Sequence, residues 1–281
     1  MIKNMNKRKA YVAVIGVIVA LSGIWLYAQK SKPSVIWTPK SVIEIVQPNV
    51  NKTVNISFKA NTNLNGVTFF LASAIRDVVS VSPTGFTGVS ANNVYPVAIN
   101  IHPGSISQVK YSGTVQLKDT MGYATNALPL PVTVVVHNEP VPPDPGEAGK
   151  QTLEGIDSDN DGVRDDIQRY IILNYYNTQK TQLALRQYAK ALQPFLLDAE
   201  DKQLSRAHTK EMDEAQNCSH YIFGLDEAER ITDELIAQFL NTDLRSRTYI
   251  KADSQLSGMS GSFETEQIKS GCTFNPDTLE N

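Results

Sequence analysis

No signature of catalysis runs through these 281 residues. Ser257-Gly258-Met259-Ser260-Gly261-Ser262 lacks the Gly-x-Ser-x-Gly order that seats a nucleophile on a strained strand-to-helix turn, and reads as a flexible loop. Histidine is scarce, at four. His208 and Glu211 stand three apart as one reversed copy of a pair that di-iron bundles use twice, in the order Glu-x-x-His, so they read as a solvated face. Glu211, Asp213 and Glu214, like Asp226, Glu227 and Glu229, cluster in sequence, whereas glycosidase carboxylates are defined by a gap of ~5–10 Å across a sugar. Cysteine is limited to Cys218 and Cys272. His220 lies two residues from Cys218 and does not face it on a helix, which leaves a thiol nucleophile without its base.

Charge of one sign is short in each half. From Ser31 to Asn138 seven Lys/Arg stand against three Asp/Glu, a net of +4, and from Glu139 to Asn281 fourteen stand against 26, a net of −12. The acidic half repels nucleic acid, which excludes it as a partner, and the lysines of the basic half are too scattered for a polybasic membrane anchor.

Long apolar runs occur once. Residues 1–30 carry Lys3, Lys7, Arg8 and Lys9 with no acid, then an apolar stretch from Tyr11 to Ala28. At about 1.5 Å per helical residue it spans most of a ~30 Å hydrocarbon core, and the positive charge before it keeps the amino terminus in the cytoplasm. This predicts an N-terminal signal anchor or transmembrane helix with the remainder extracytoplasmic, facing the periplasm from the inner membrane or lying at the cell surface. The lipid bilayer is then a partner. Cleavage after Leu26-Tyr27-Ala28 is the alternative and would release a secreted chain. No cysteine follows the run, which excludes a lipoprotein anchor. Export also makes a Cys218–Cys272 disulfide the expected state, stabilising by about 4 kcal/mol on a chain-entropy basis, although engineered bridges often give less.

Residues 31–138 are rich in Val, Ile, Thr, Asn and Ser. Candidate strands are Val42–Val46, Val54–Lys59, Val67–Ala72, Val94–Ile101, Val109–Leu117 and Val132–Val136, separated by turns such as Asn63-Leu64-Asn65-Gly66 and Ser82-Pro83-Thr84-Gly85. The pattern resembles bacterial immunoglobulin-like modules and predicts an all-β sandwich, without the Cys…Trp…Cys core of antibody domains. Residues 139–150 open with Glu139-Pro140-Val141-Pro142-Pro143-Asp144-Pro145-Gly146 and read as a stiff linker holding the next domain away from the sandwich. Residues 151–281 change period. Ile167, Tyr170 and Ile171 share a helical face, as do Leu185, Tyr188, Leu192 and Phe195, and Ile231, Leu235 and Phe239, which predicts a small all-α domain.

That domain opens on Asp157-Ser158-Asp159-Asn160-Asp161-Gly162-Val163-Arg164-Asp165-Asp166-Ile167-Gln168. Carboxylates at alternate positions converge on one hard cation only if the backbone wraps around it, and Gly162 permits that turn. The run resembles the calcium loops of EF-hands, dockerins and thrombospondin type 3 repeats. The resemblance implies side-chain oxygens from Asp157, Asp159 and Asp161, the carbonyl of Val163, and an oxygen of Asp165 directly or through water. At the twelfth position, where an EF-hand has a bidentate glutamate, stands Gln168. The last ligand is then one amide oxygen of Gln168, Asp166 turned inward, or water. Such a site falls towards the weak extracellular range, roughly 10⁻⁴ to 10⁻³ M. The competing account is an acidic turn that only caps the following helix, with Asp165 and Asp166 at its positive end.

The multidomain order is therefore transmembrane helix, immunoglobulin-like sandwich, linker and calcium-led helical domain. The function expected is that of a non-catalytic bacterial envelope module for binding or structure, with calcium as cofactor and an envelope protein or surface ligand as partner. A hydrolase-class envelope enzyme with its site in the helical domain, and an adaptor or regulator of an envelope machine, are the alternatives.

Overall fold

The structure, a computed structural model, describes residues 35–120, 127–259 and 269–279. Nine strands come first among these: β1 (Val35–Thr38), β2 (Val42–Val46), β3 (Lys52–Ala60), β4 (Val67–Leu71), β5 (Val79–Ser82), β6 (Gly85–Phe86), β7 (Val94–Ile101), β8 (Val109–Asp119) and β9 (Leu130–Val136). They form a four-stranded sheet ordered β1-β3-β7-β5 and a five-stranded sheet ordered β2-β9-β8-β4-β6. Five helices follow: α1 (Asp165–Asn174), α2 (Gln179–Leu197), α3 (Lys202–Phe223), α4 (Leu225–Phe239) and α5 (Asp243–Gln255).

By packing, the chain divides into two units. The first takes the chain up to Ile43 with Asn51–His102 and Tyr111–Thr133; the second takes Glu44–Val50, Pro103–Lys110 and the chain from Val134.

In the first unit alternation builds the core. Ile56, Phe58 and Ala60 of β3 are buried while Asn55 and Lys59 point to water, as the two-residue period of a strand dictates. Antiparallel register sets Phe58 opposite Tyr95, and their rings stack with centroids 5.4 Å apart. Trp37, Phe69 and Phe86 complete an aromatic cluster that joins side chains of both sheets, with Phe58 edge-on to Phe69 and to Phe86. Each such pair adds about 0.5–1.5 kcal/mol beyond burial. The Trp37 indole N–H, stranded in this apolar setting, donates to the Leu128 carbonyl at 3.0 Å.

The second unit has a helical core of Ile167, Ile171, Leu185, Leu192, Phe195, Ile231, Leu235 and Phe239, with Val163 fully buried among them. A smaller cluster explains why β9 ends in the unbroken apolar run Val134-Val135-Val136. Val135 does not face solvent: it packs with Ile45 and with Ile172 of α1, and Val141 and Tyr176 lie against the same cluster. The proline-rich stretch is likewise held, because the Arg169 guanidinium donates to the Pro142 carbonyl at 3.0 Å. It lies against α1 rather than standing free.

The expected fold class needs correction. Among the described residues no helix is long and apolar enough to cross a membrane. The 22-residue α3 has the length, but its charged residues, Lys202, Arg206, Lys210 and Glu211 among them, keep its outer face in water. The segment read as a membrane helix, residues 1–30, lies outside the described residues. The strict succession of all-β and all-α domains also gives way, since the unit containing the helices includes Glu44–Val50 and the end of β9. An apolar strand end with both faces covered belongs with the helix that covers it.

Candidate metal centre

Loop 157–168 is shaped by its own side chains. Asp157 is the hub: one carboxylate oxygen accepts from the Asp161 N–H at 3.2 Å and the other from the Gly162 N–H at 2.9 Å. Asp161 Oδ1 accepts from the Val163 N–H at 2.7 Å, and Asp165 Oδ1 accepts from the Ser158 N–H at 2.9 Å. The Asp165 N–H donates to the Ile156 carbonyl at 2.8 Å and closes the loop at its base. Gly162 sits at φ +84°, where a side chain is strained although only the flexible Lys190 side chain is near. Val163 anchors this turn in the helical core.

The result is convergence. One carboxylate oxygen from each of Asp157, Asp159 and Asp165 lies within 4.8 Å of the other two. Oxygens on opposite sides of a calcium ion at 2.3–2.6 Å stand about 5 Å apart, so the three groups can share one such ion. Bringing them together has an electrostatic cost: burial, with Asp159 and Asp161 close by, pushes the Asp157 carboxyl above its usual range despite two N–H donors.

Gln168 completes the picture. It is almost wholly buried, its Nε2 donates to Asp159 Oδ2 at 3.3 Å, and its Oε1 is buried without a hydrogen-bond partner. Amide oxygen and nitrogen exchange places by a half-turn, which directs the oxygen at the carboxylate group. Turned so, the buried amide would offer its unpartnered oxygen to a cation held by the acids.

The remaining residues of the sequence-based set are engaged elsewhere. Asp161 is ion-paired through Oδ2 with Arg186 of α2 and is not among the converging three. Asp166 faces away: Arg164 donates to its two oxygens at 3.0 and 2.9 Å, and Asn241 donates to Oδ2 at 2.8 Å. Burial opposes ionisation of Asp166, but these donors and the nearby Arg245 outweigh it and hold its carboxyl below the usual range.

Behind the loop lies a buried arginine pair with no local sequence signal. Arg164 stacks 4.4 Å over the Phe239 ring and donates to the Phe239 carbonyl at 3.1 Å. Arg245 of α5 donates to the carbonyls of Gly149, Thr152 and Leu153 at 2.6, 3.0 and 3.2 Å and to Asn241 Oδ1 at 2.5 Å. Gly155 must be glycine here: at φ +74° an added Cβ would come within 2.7 Å of Arg164 Cδ and 2.8 Å of Arg245 Nη2. The segment leading into the loop is thus stapled to α5 from below.

At the far end of the unit Cys218 and Cys272 are disulfide-bonded, with Cα atoms 4.7 Å apart. Gln187 secures the same tail, donating to the Gly271 carbonyl at 2.6 Å and accepting from the Thr273 N–H at 3.0 Å. Of the acidic clusters picked out in the sequence, Glu214 pairs with Lys210 at 3.9 Å and Glu227 with Arg230. His208 contacts Asp198 at 2.7 Å, and Glu234 also binds Arg230.

No protein-family model matches the chain, and no curated protein sequence does. Solved structures with partial likeness include WR4, an MSP family member of Caenorhabditis elegans, at 13% identity over 36% of this chain and 96% of that one, with a TM-score of 0.27. A chaperone–tip adhesion subunit complex of Csu pili from Acinetobacter baumannii is similar at 9% identity over 36% of this chain and 56% of that one, TM-score 0.26. The secreted serine protease VesC from Vibrio cholerae is similar at 16% identity over 40% and 24%, TM-score 0.26. Likeness at these scores supports no conclusion about function.

Proposed function

We propose that this chain is a non-catalytic extracytoplasmic module whose helical unit is braced by a calcium ion in loop 157–168. The observation that carries the reading is the convergence of Asp157, Asp159 and Asp165 within 4.8 Å, with the buried Gln168 amide against Asp159 and its oxygen without a partner. Those four side chains, with the Val163 carbonyl, would hold the ion. Bound there, it would neutralise crowded carboxylates and cross-link the loop to the first turn of α1. The Cys218–Cys272 bridge supports placement in an oxidising compartment, where calcium reaches the concentrations a weak site needs.

Calorimetric melting of the purified protein tests this. At about 1 mM, calcium should stabilise the helical unit by about 0.4 to 1.4 kcal/mol, the linkage expected for a dissociation constant near 10⁻³ to 10⁻⁴ M. Chelator should reverse the shift, and Asp159→Asn should abolish it. A wild-type melt indifferent to calcium would sink the proposal.

A further inference from the structure

Asp161 is placed to serve two cations. It is the fifth residue of the loop, the position from which a calcium loop draws a side-chain oxygen, yet its Oδ2 is bound by the guanidinium of Arg186, which lies 25 residues on in another element. Neither side chain is deeply buried, at 19% exposed for Arg186 and 23% for Asp161, so both have room to turn. Asp161 Oδ1 is meanwhile fixed by the Val163 N–H. Oδ2 is the oxygen for which a metal ion and Arg186 would compete.

We infer that Arg186 is a built-in competitor for the metal, binding the carboxylate that would complete the site and so setting how much calcium the loop requires. This rests on the calcium reading above. A planar guanidinium and a divalent ion want the same oxygen, and two cations drawn to one carboxylate repel each other. Arg186 also borders a small cavity of about 60 Å³ lined by His137, Glu139 and Gln182. Capture of Asp161 by the ion leaves the guanidinium beside Glu139, at the exit from β9. Linkage then requires that whatever Arg186 subtracts from calcium affinity, calcium subtracts from the Arg186–Asp161 pair.

Isothermal titration with calcium chloride, comparing wild type with Arg186→Gln, decides the matter. Removing the competitor should tighten calcium binding about three- to thirtyfold, the range for loss of a charge-assisted hydrogen bond. Unchanged or weaker binding by a folded Arg186→Gln protein overturns the inference while leaving the calcium reading intact. Should that variant fail to fold, the wild-type protein supplies the second measurement. The Arg186 Nε–Hε resonance, assigned through Arg186→Lys, should shift on calcium saturation, and a stationary resonance overturns the competition. Absence of binding in both removes the calcium reading and this inference with it.

Discussion

The two units are held together by different means. In the sheets, alternating apolar residues and an aromatic cluster around Phe58 do the work. In the second unit an apolar core is supplemented by specific polar fasteners: every buried polar or charged side chain among the described residues lies between His137 and Arg245. An apolar face tolerates any residue of similar size, whereas a buried guanidinium must find its acceptors in place. The sandwich is therefore specified by pattern and the helical unit by individual contacts.

Phe58→Ala should break the first half of that contrast most severely. It removes the ring shared by four aromatic contacts and should cost about 3–5 kcal/mol, read from urea unfolding followed by fluorescence. A loss below about 1 kcal/mol would show that the cluster packs loosely.

Arg245→Met comes next, with an expected loss of about 3 kcal/mol, because the carbonyls of Gly149, Thr152 and Leu153, the first of them buried, lose their donor. The helical circular dichroism should melt earlier. If methionine is tolerated without loss, polar fastening is not what distinguishes this unit.

The smallest effect is on pH dependence. The Asp166 carboxyl is held below its usual range, so its contribution is fully present above the unfolded-state pKa of about 3.9 and disappears as pH falls through the folded value. Acid unfolding of Asp166→Asn should be shallower across that window than that of wild type. Parallel curves would remove Asp166 from the account.

Much of the sheet was legible. Val42–Val46 and Val94–Ile101 are strands with the bounds their composition suggests, and β3, β8 and β9 extend the expected segments by only a few residues. β1, β5 and β6 went unread because four residues or two are too few to show a period, and each ends a sheet, where short strands suffice. Helix α5 was missed for a related reason: only Arg245 and Ala252 are buried on it, so it has no apolar stripe to read. Of the loop, the convergence of Asp157, Asp159 and Asp165 follows the spacing of the motif. The roles of Asp161 and Asp166 do not, because each is set by an arginine whose position depends on packing: Arg186 from α2, and Arg164 lodged against Phe239.

By itself the sequence determined which longer periodic segments extend as strands or coil as helices, and where acids stand at a spacing a hard cation could use, because periodicity and ligand spacing are local properties of the chain. Only the tertiary structure decided that Val135 would be covered by Ile172, that Gln168 would turn a buried amide towards the acids, and that Asp161 would be held by Arg186. Those outcomes join residues from 9 to 37 positions apart, and such contacts are chosen by packing, which no short stretch of sequence records.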